Sequence, residues 1–174
     1  TDVGGVRLNL KDEAEVQAAY TQMIETVRSK MKPDVEIWGV LVQKMLPKGK
    51  EIILGMTRDP RFGPLLMFGL GGIYTEALRD VSFRLAPLRQ DVPPEMIRSI
   101  RSYRLLEGVR GEKPSDVKAV AECLLRLSQL VTENPNIKEL DINPLMVYAR
   151  GEGAMAADAR IILSPDVEPN GNGK

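Results

Sequence analysis

Val16, Tyr20, Met23, Ile24, Val27 and Met31 recur every three or four positions, the period of one helical face. Asp12 stands ahead of them, with Glu15 three residues on in capping-box spacing. A helix is therefore predicted from Asp12 to the breaker Pro33. On either side the period changes. Val6, Leu8 and Leu10 alternate after Gly4-Gly5, which predicts a strand. Val35 to Leu46 and Glu51 to Thr57 are rich in β-formers and flank Pro47-Lys48-Gly49-Lys50, which predicts an antiparallel hairpin. Leu65 to Leu70 and Val81 to Leu85 are further strand candidates.

Pro93-Pro94 opens a short helix through Met96, Ile97 and Ile100. Residues 108–113 read as a polar loop. A longer helix is predicted from Pro114, with Val117, Val120, Ala121, Leu124, Leu127 and Val131 on one face and Asn134-Pro135 at its end. Ile137 to Ala149 and Ala154 to Leu163 are the last strands, joined around Gly151-Glu152-Gly153. From Ser164 the tail SPDVEPNGNGK is expected to be mobile. Strands outnumber helices and several neighbours are joined by short turns. That predicts an α+β fold, a mixed, mainly antiparallel sheet with helices packed on it, over residues 1–163.

Composition narrows the chemistry. The chain has 174 residues, 24 basic and 24 acidic, no histidine and a single cysteine, Cys123. Without imidazole there is no Ser-His-Asp catalysis within the chain and no His-ligated zinc. One cysteine cannot form an internal disulfide, which favours a reducing, cytoplasmic setting. A net charge of zero argues against broad binding to nucleic acid or anionic membrane. No stretch approaches the roughly 18 apolar residues of a membrane span. The chain starts at Thr1 and enters an apolar, glycine-containing stretch at once, so it reads as a piece of a longer protein.

Glu139-Leu140-Asp141-Ile142-Asn143-Pro144 is the most informative segment. In a strand, Glu139, Asp141 and Asn143 share one face, about 7 Å apart in succession. Three oxygen-bearing groups in a row suit a hard cation such as magnesium, or simply a solvated face. With a turn near Gly151, Asn143 falls opposite Asp158, and Asp141, Asn143, Asp158 and Arg160 converge. Gly69-Leu70-Gly71-Gly72 follows a strand, as a phosphate-approaching loop does, although a tight turn needs the same residues. Gln43 and Glu51 flank the predicted hairpin turn and could meet an adenine edge and a ribose, or be two surface residues. Arg84 interrupts an apolar run and suits a phosphate, a carboxylate or a structural pairing.

Residues 42–88, VQKMLPKGKEIILGMTRDPRFGPLLMFGLGGIYTEALRDVSFRLAPL, resemble the ATP-grasp domain of ADP-forming acetyl-CoA (acyl-CoA) synthetases. Residues 139–163, ELDINPLMVYARGEGAMAADARIIL, resemble the end of that domain and the matching part of the succinyl-CoA synthetase β subunit. The resemblance implies the second lobe of an ATP-grasp domain plus the last piece of the first, with 164–174 as a tail. It implies magnesium ligands at Asn143 and Asp158. Adenine and ribose contacts are implied at Gln43, the Leu46 backbone and Glu51, with a glycine pair at Gly71 and Gly72. Asp141 matches an acidic position near a phosphohistidine, and Arg84 and Arg160 become phosphate neighbours. The cofactors implied are ATP or ADP and Mg²⁺. The implied partners are a CoA-binding α subunit or domain and the rest of the first lobe. Acyl-CoA or acid and phosphate would be handled through the partner.

The family reaction converts acyl-CoA, ADP and phosphate into acid, CoA and ATP by way of a phosphohistidine. That histidine, within His-Lys, is expected just before Thr1, so the chain alone is expected to be inactive. Two other readings stand beside this one: a synthetase-like regulatory region of a protein lysine acetyltransferase, and a structural half-domain without catalysis.

Overall fold

The computed structural model describes residues 4–31, 35–72, 79–109 and 111–164. The chain divides into two compact units, Thr1–Pro47 and Lys48–Lys174.

In the first unit, helix α1 spans Glu13–Lys30. The Asp12 carboxylate accepts the Glu15 N–H at 2.9 Å, and the Glu15 carboxylate accepts the Lys11 N–H at 2.8 Å. The cap is reciprocal, as the sequence predicts, but Glu15 reaches one residue further back than a capping box requires. The helix ends at Lys30, and Pro33 lies outside the described residues. Two predicted strands do not form. Residues 5–10 and 35–49 carry no regular structure. Val6, Leu8, Trp38, Leu41 and Val42 are exposed. β-propensity makes a strand only where a ladder partner exists. The partner assumed for Val35–Leu46 is unavailable, because both edges of the strand after it are taken within the second unit.

That strand, β1 (Lys50–Asp59), lies between β2 (Gly63–Leu70) and β4 (Ile137–Val147), antiparallel to both. β3 (Val81–Leu85) pairs on the far side of β2. Two short strands, β5 (Ala154–Ala156) and β6 (Ala159–Leu163), share the outer edge of β4. The last predicted strand is thus broken at Ala157-Asp158. Every pairing among the described residues is antiparallel.

Helix α2 (Val92–Arg98) packs on β2 and β3, and α3 (Val117–Glu133) packs on β2 and β4. α3 starts later than Pro114 because Asp116 is its cap, its carboxylate accepting the Ala119 N–H at 3.1 Å. Val120, Leu124, Leu127 and Val131 are buried against Ile52, Leu54, Leu66 and Phe68. Each such side chain contributes roughly 1.5–3 kcal/mol. The even-numbered residues of β1 and β2 thus face the helices. Their odd-numbered residues form the other face, where the candidate site lies. The tail, residues 165–174, falls outside the described residues.

Candidate functional site

β4 carries one residue more than β1 between two aligned pairs. Ile52 sits opposite Leu145 and Leu54 opposite Ile142, so Asn143 and Pro144 together face Ile53. This is a β-bulge, a device that bends a strand and re-aims a side chain. It lets Leu140 and Ile142 on one side, and Leu145 and Val147 on the other, all reach the core. On the outer edge of β4 the register is the same on both sides of the bulge, Leu145 opposite Ala156 and Ile142 opposite Ala159, although β5 and β6 are separate strands. The Ala157 N–H donates to the Pro144 carbonyl at 2.9 Å, and the Asn143 N–H to the Asp158 carbonyl at 3.1 Å. Asp141 is then directly opposite Arg160. The expected convergence of these residues on one hairpin is present. Asn143 and Asp158 are both exposed.

Directly opposed residues share a face. Phe83, Met67, Gly55, Asp141 and Arg160 therefore form one rung across five strands. With Thr57 and Glu139 they line an open groove of about 450 Å³. Among the described residues, neither Asp141 nor Arg160 has an ion-pair partner. Both charges are thus available to a ligand. Met67 and Phe83 fall within the apolar runs Leu65 to Leu70 and Val81 to Leu85. Both faces of β2 are apolar, so alternation gives no sign of which face is open.

Further along the same face, Glu51 meets the glycine run. The Gly71 N–H donates to the Glu51 carbonyl at 2.7 Å. Gly72 has φ +63°, and a Cβ built there would lie 3.9 Å from Glu51 Oε2. Glu51, the Asn143–Asp158 pair and the Asp141–Arg160 pair succeed one another along β1 at two-residue steps, about 7 Å each. Arg84 is not part of this line. It sits opposite Leu66, on the helix-covered face, and its Nη1 donates to the Phe83 carbonyl at 2.8 Å. Gln43 and Leu46 belong to the first unit, in a segment without regular structure, Gln43 exposed and Leu46 half-buried.

Among the described residues no three acidic, histidine or cysteine side chains are grouped as a metal cage. The Asn143 amide on β4 and the Asp158 carboxylate in the link between β5 and β6 are nonetheless hard-oxygen donors. Magnesium commonly takes one or two such groups and fills its octahedron with water and phosphate oxygens. The donor set fits that ion bound together with a nucleotide.

Residues 1–163 match the family model of an ATP-grasp domain. The chain is 48% identical over 163 residues to the β subunit of acetate–CoA ligase (ADP-forming) I of Pyrococcus furiosus, covering 94% of this chain and 69% of that subunit. It is 47% identical over 167 residues to acetate–CoA ligase (ADP-forming) I of Archaeoglobus fulgidus, covering 96% of this chain and 24% of that longer one. A solved structure of acetyl-coenzyme A synthetase 1 from Ca. Korarchaeum cryptofilum superposes with a TM-score of 0.81 at 44% identity, over 94% of this chain and 70% of that one. It holds coenzyme A and Mg-AMPPCP, with its phosphohistidine segment pointing towards the nucleotide site. The chain belongs to the ATP-grasp domain family. Within that family its relatives are ADP-forming acetate– and acyl–CoA ligases, which are enzymes. No helix among the described residues is long and apolar enough to cross a membrane.

Proposed function

We propose that this chain is the nucleotide- and magnesium-binding part of an ADP-forming acyl-CoA synthetase, exchanging a phosphoryl group between a phosphohistidine and ADP. The observation that carries this reading is the order of groups along one sheet face. Glu51 comes first, then Asn143 with Asp158, then Asp141 with Arg160. A nucleotide laid along β1 has its ribose at Glu51 and its terminal phosphate at Asn143 and Asp158. One rung further, Asp141 and Arg160 meet the group that donates the phosphoryl.

Glu51 accepts hydrogen bonds from the ribose hydroxyls, and the glycines beside it let the nucleotide approach the backbone. Gln43 and the Leu46 backbone take the adenine edge. Asn143 and Asp158 would hold Mg²⁺, which when bound neutralises charge on the phosphate oxygens. Arg160 supplies a fixed positive charge to the phosphoryl in flight. Asp141 orients the imidazole by accepting its N–H. The N–P bond breaks and a P–O bond to the β-phosphate of ADP forms. The electron pair of the broken bond stays on the imidazole nitrogen.

The partners of this reading are the remainder of the first lobe and a CoA-binding subunit or domain that forms the acyl phosphate. The setting is cytoplasmic. The test uses the full-length protein with its CoA-binding partner, assayed for CoA-dependent ATP formation from acyl-CoA, ADP and phosphate. Asp158→Asn is expected to raise the Mg²⁺ concentration for half-maximal rate by roughly tenfold or more. An unchanged Mg²⁺ dependence would remove Asp158 from the metal site.

A further inference from the structure

The strands that bring Asp158 to Asn143 are poorly equipped to choose their own register. Ala154-Met155-Ala156-Ala157 precedes Asp158, and Ala159 follows it. Most of β5 and β6 is exposed. Register is set by burying one face, and alanines on a solvated edge distinguish the faces weakly. A slip of one residue would send Asp158 to the opposite face of the sheet.

The turn that feeds these strands is gripped from outside. The Asp116 Oδ2 accepts the N–H of Gly151 at 2.9 Å and that of Gly153 at 3.0 Å. Both glycines are left-handed, with φ +85° and +82°. That conformation turns their N–H groups towards one carboxylate oxygen. The Asp116 N–H donates to the Tyr148 carbonyl at 2.9 Å, and the Arg150 N–H to the Pro114 carbonyl at 2.8 Å. Asp116 is 7% exposed, and its other oxygen caps α3, whose apolar face is locked into the core. One side chain thus ties the turn to the best-anchored helix.

We propose that Asp116 is a positioning residue for the metal site: by clamping Gly151 and Gly153 it selects the register that sets Asp158 across from Asn143. The metal role of those two residues rests on the reading above; the register role does not.

Asp116→Ser separates the two duties, since serine still caps a helix but lacks the second oxygen. In the full-length protein with other cysteines replaced, register is read by the disulfide between Met146→Cys and Met155→Cys, which are opposed across β4 and β5. Metal binding is read separately, by electron paramagnetic resonance of free Mn²⁺ in the presence of ADP, well below the unfolding temperature. Asp116→Ser is expected to cut the disulfide yield several-fold and to weaken Mn²⁺ about tenfold, as removing groups that orient metal ligands does. Wild-type disulfide yield and Mn²⁺ affinity in Asp116→Ser would overturn the proposal. Asp158→Asn is the reference. If it leaves Mn²⁺ binding intact while Asp116→Ser loses the disulfide, the metal reading fails and the register role stands.

Discussion

Gly71 lies so close to Glu51 that a Cβ on the glycine would come within 2.9 Å of the Glu51 Cβ and 3.2 Å of its backbone carbonyl. The contact is backbone and side-chain root, not the end of a flexible chain. Neither strand can yield without opening the last hydrogen bond between them. Gly71→Ala is expected to cost about 1–3 kcal/mol of stability, as overpacking does. It is also expected to displace the Glu51 carboxylate. Calorimetry with ADP on the full-length protein should show weaker binding. Native affinity in this variant would mean that Glu51 does not contact the nucleotide.

Arg160 stands one rung beyond the Asn143–Asp158 pair and has no ion-pair partner among the described residues. A charge used at the phosphoryl in flight, rather than on bound ADP, should separate rate from affinity. Arg160→Met is expected to slow ATP formation by roughly a hundredfold, the scale of losing one preorganised charge stabiliser. ADP affinity measured by calorimetry should stay near native. Equal losses in rate and ADP affinity would instead make Arg160 a ground-state nucleotide contact.

Arg58 is the principal polar tie between β1 and the end of α3. Its Nε donates to the Ile137 carbonyl at 2.8 Å, and its Nη2 to the carbonyls of Val131 at 2.7 Å and Asn134 at 3.2 Å. The Val131 and Asn134 carbonyls are acceptors at the negative end of a helix, and the Ile137 carbonyl opens β4. Arg58→Met keeps the aliphatic stem and strands the carbonyls. A loss of about 2 kcal/mol is expected in denaturant unfolding, in the range for charge-assisted hydrogen bonds. Arg58→Lys should recover little, since an ammonium cannot span three acceptors in the plane of a guanidinium. Full recovery by lysine would reduce the contribution to charge alone.

What the sequence made legible follows from how local each signal is. The α3 face from Val120 to Val131 and the opposition of Asn143 and Asp158 depend on period and turn position, both readable along the chain. The strand expected at Val35–Leu46 depends on a partner, and its composition says nothing of whether β1 has an edge to spare. Arg84 shows the same limit at the site. Its place in an apolar run marks it as unusual, but only the pairing with Leu66 reveals that it lies behind the sheet. Asp116 was hidden because Pro114 offered an equally good helix start. Its grip on Gly151 spans 35 positions, and no local pattern carries that.

The two best-satisfied carboxylates, Asp116 and Asp80, are expected to contribute to the acid limb of stability. Burial works against the charge of Asp116, but the N–H groups of Ala119, Gly153 and Gly151 outweigh it and hold its pKa below the ordinary 3.8. Asp80 is likewise lowered: burial opposes its charge, and the Ser102 hydroxyl with the N–H groups of Arg101 and Ser102 overcomes it. A carboxyl whose pKa is lower folded than unfolded binds its proton less readily when native. Its stabilising contribution is therefore complete above the unfolded value and disappears as pH falls through the native one. Thermal midpoints should stay level from neutral pH to about 5 and then drop below about pH 4, near the ordinary aspartate range. Asp116→Asn and Asp80→Asn should each start lower at neutral pH and lose less on acidification. The two deficits should add, because the carboxylates hold separate turns and share no partner. An acid limb equally steep in both variants would assign it to other carboxylates.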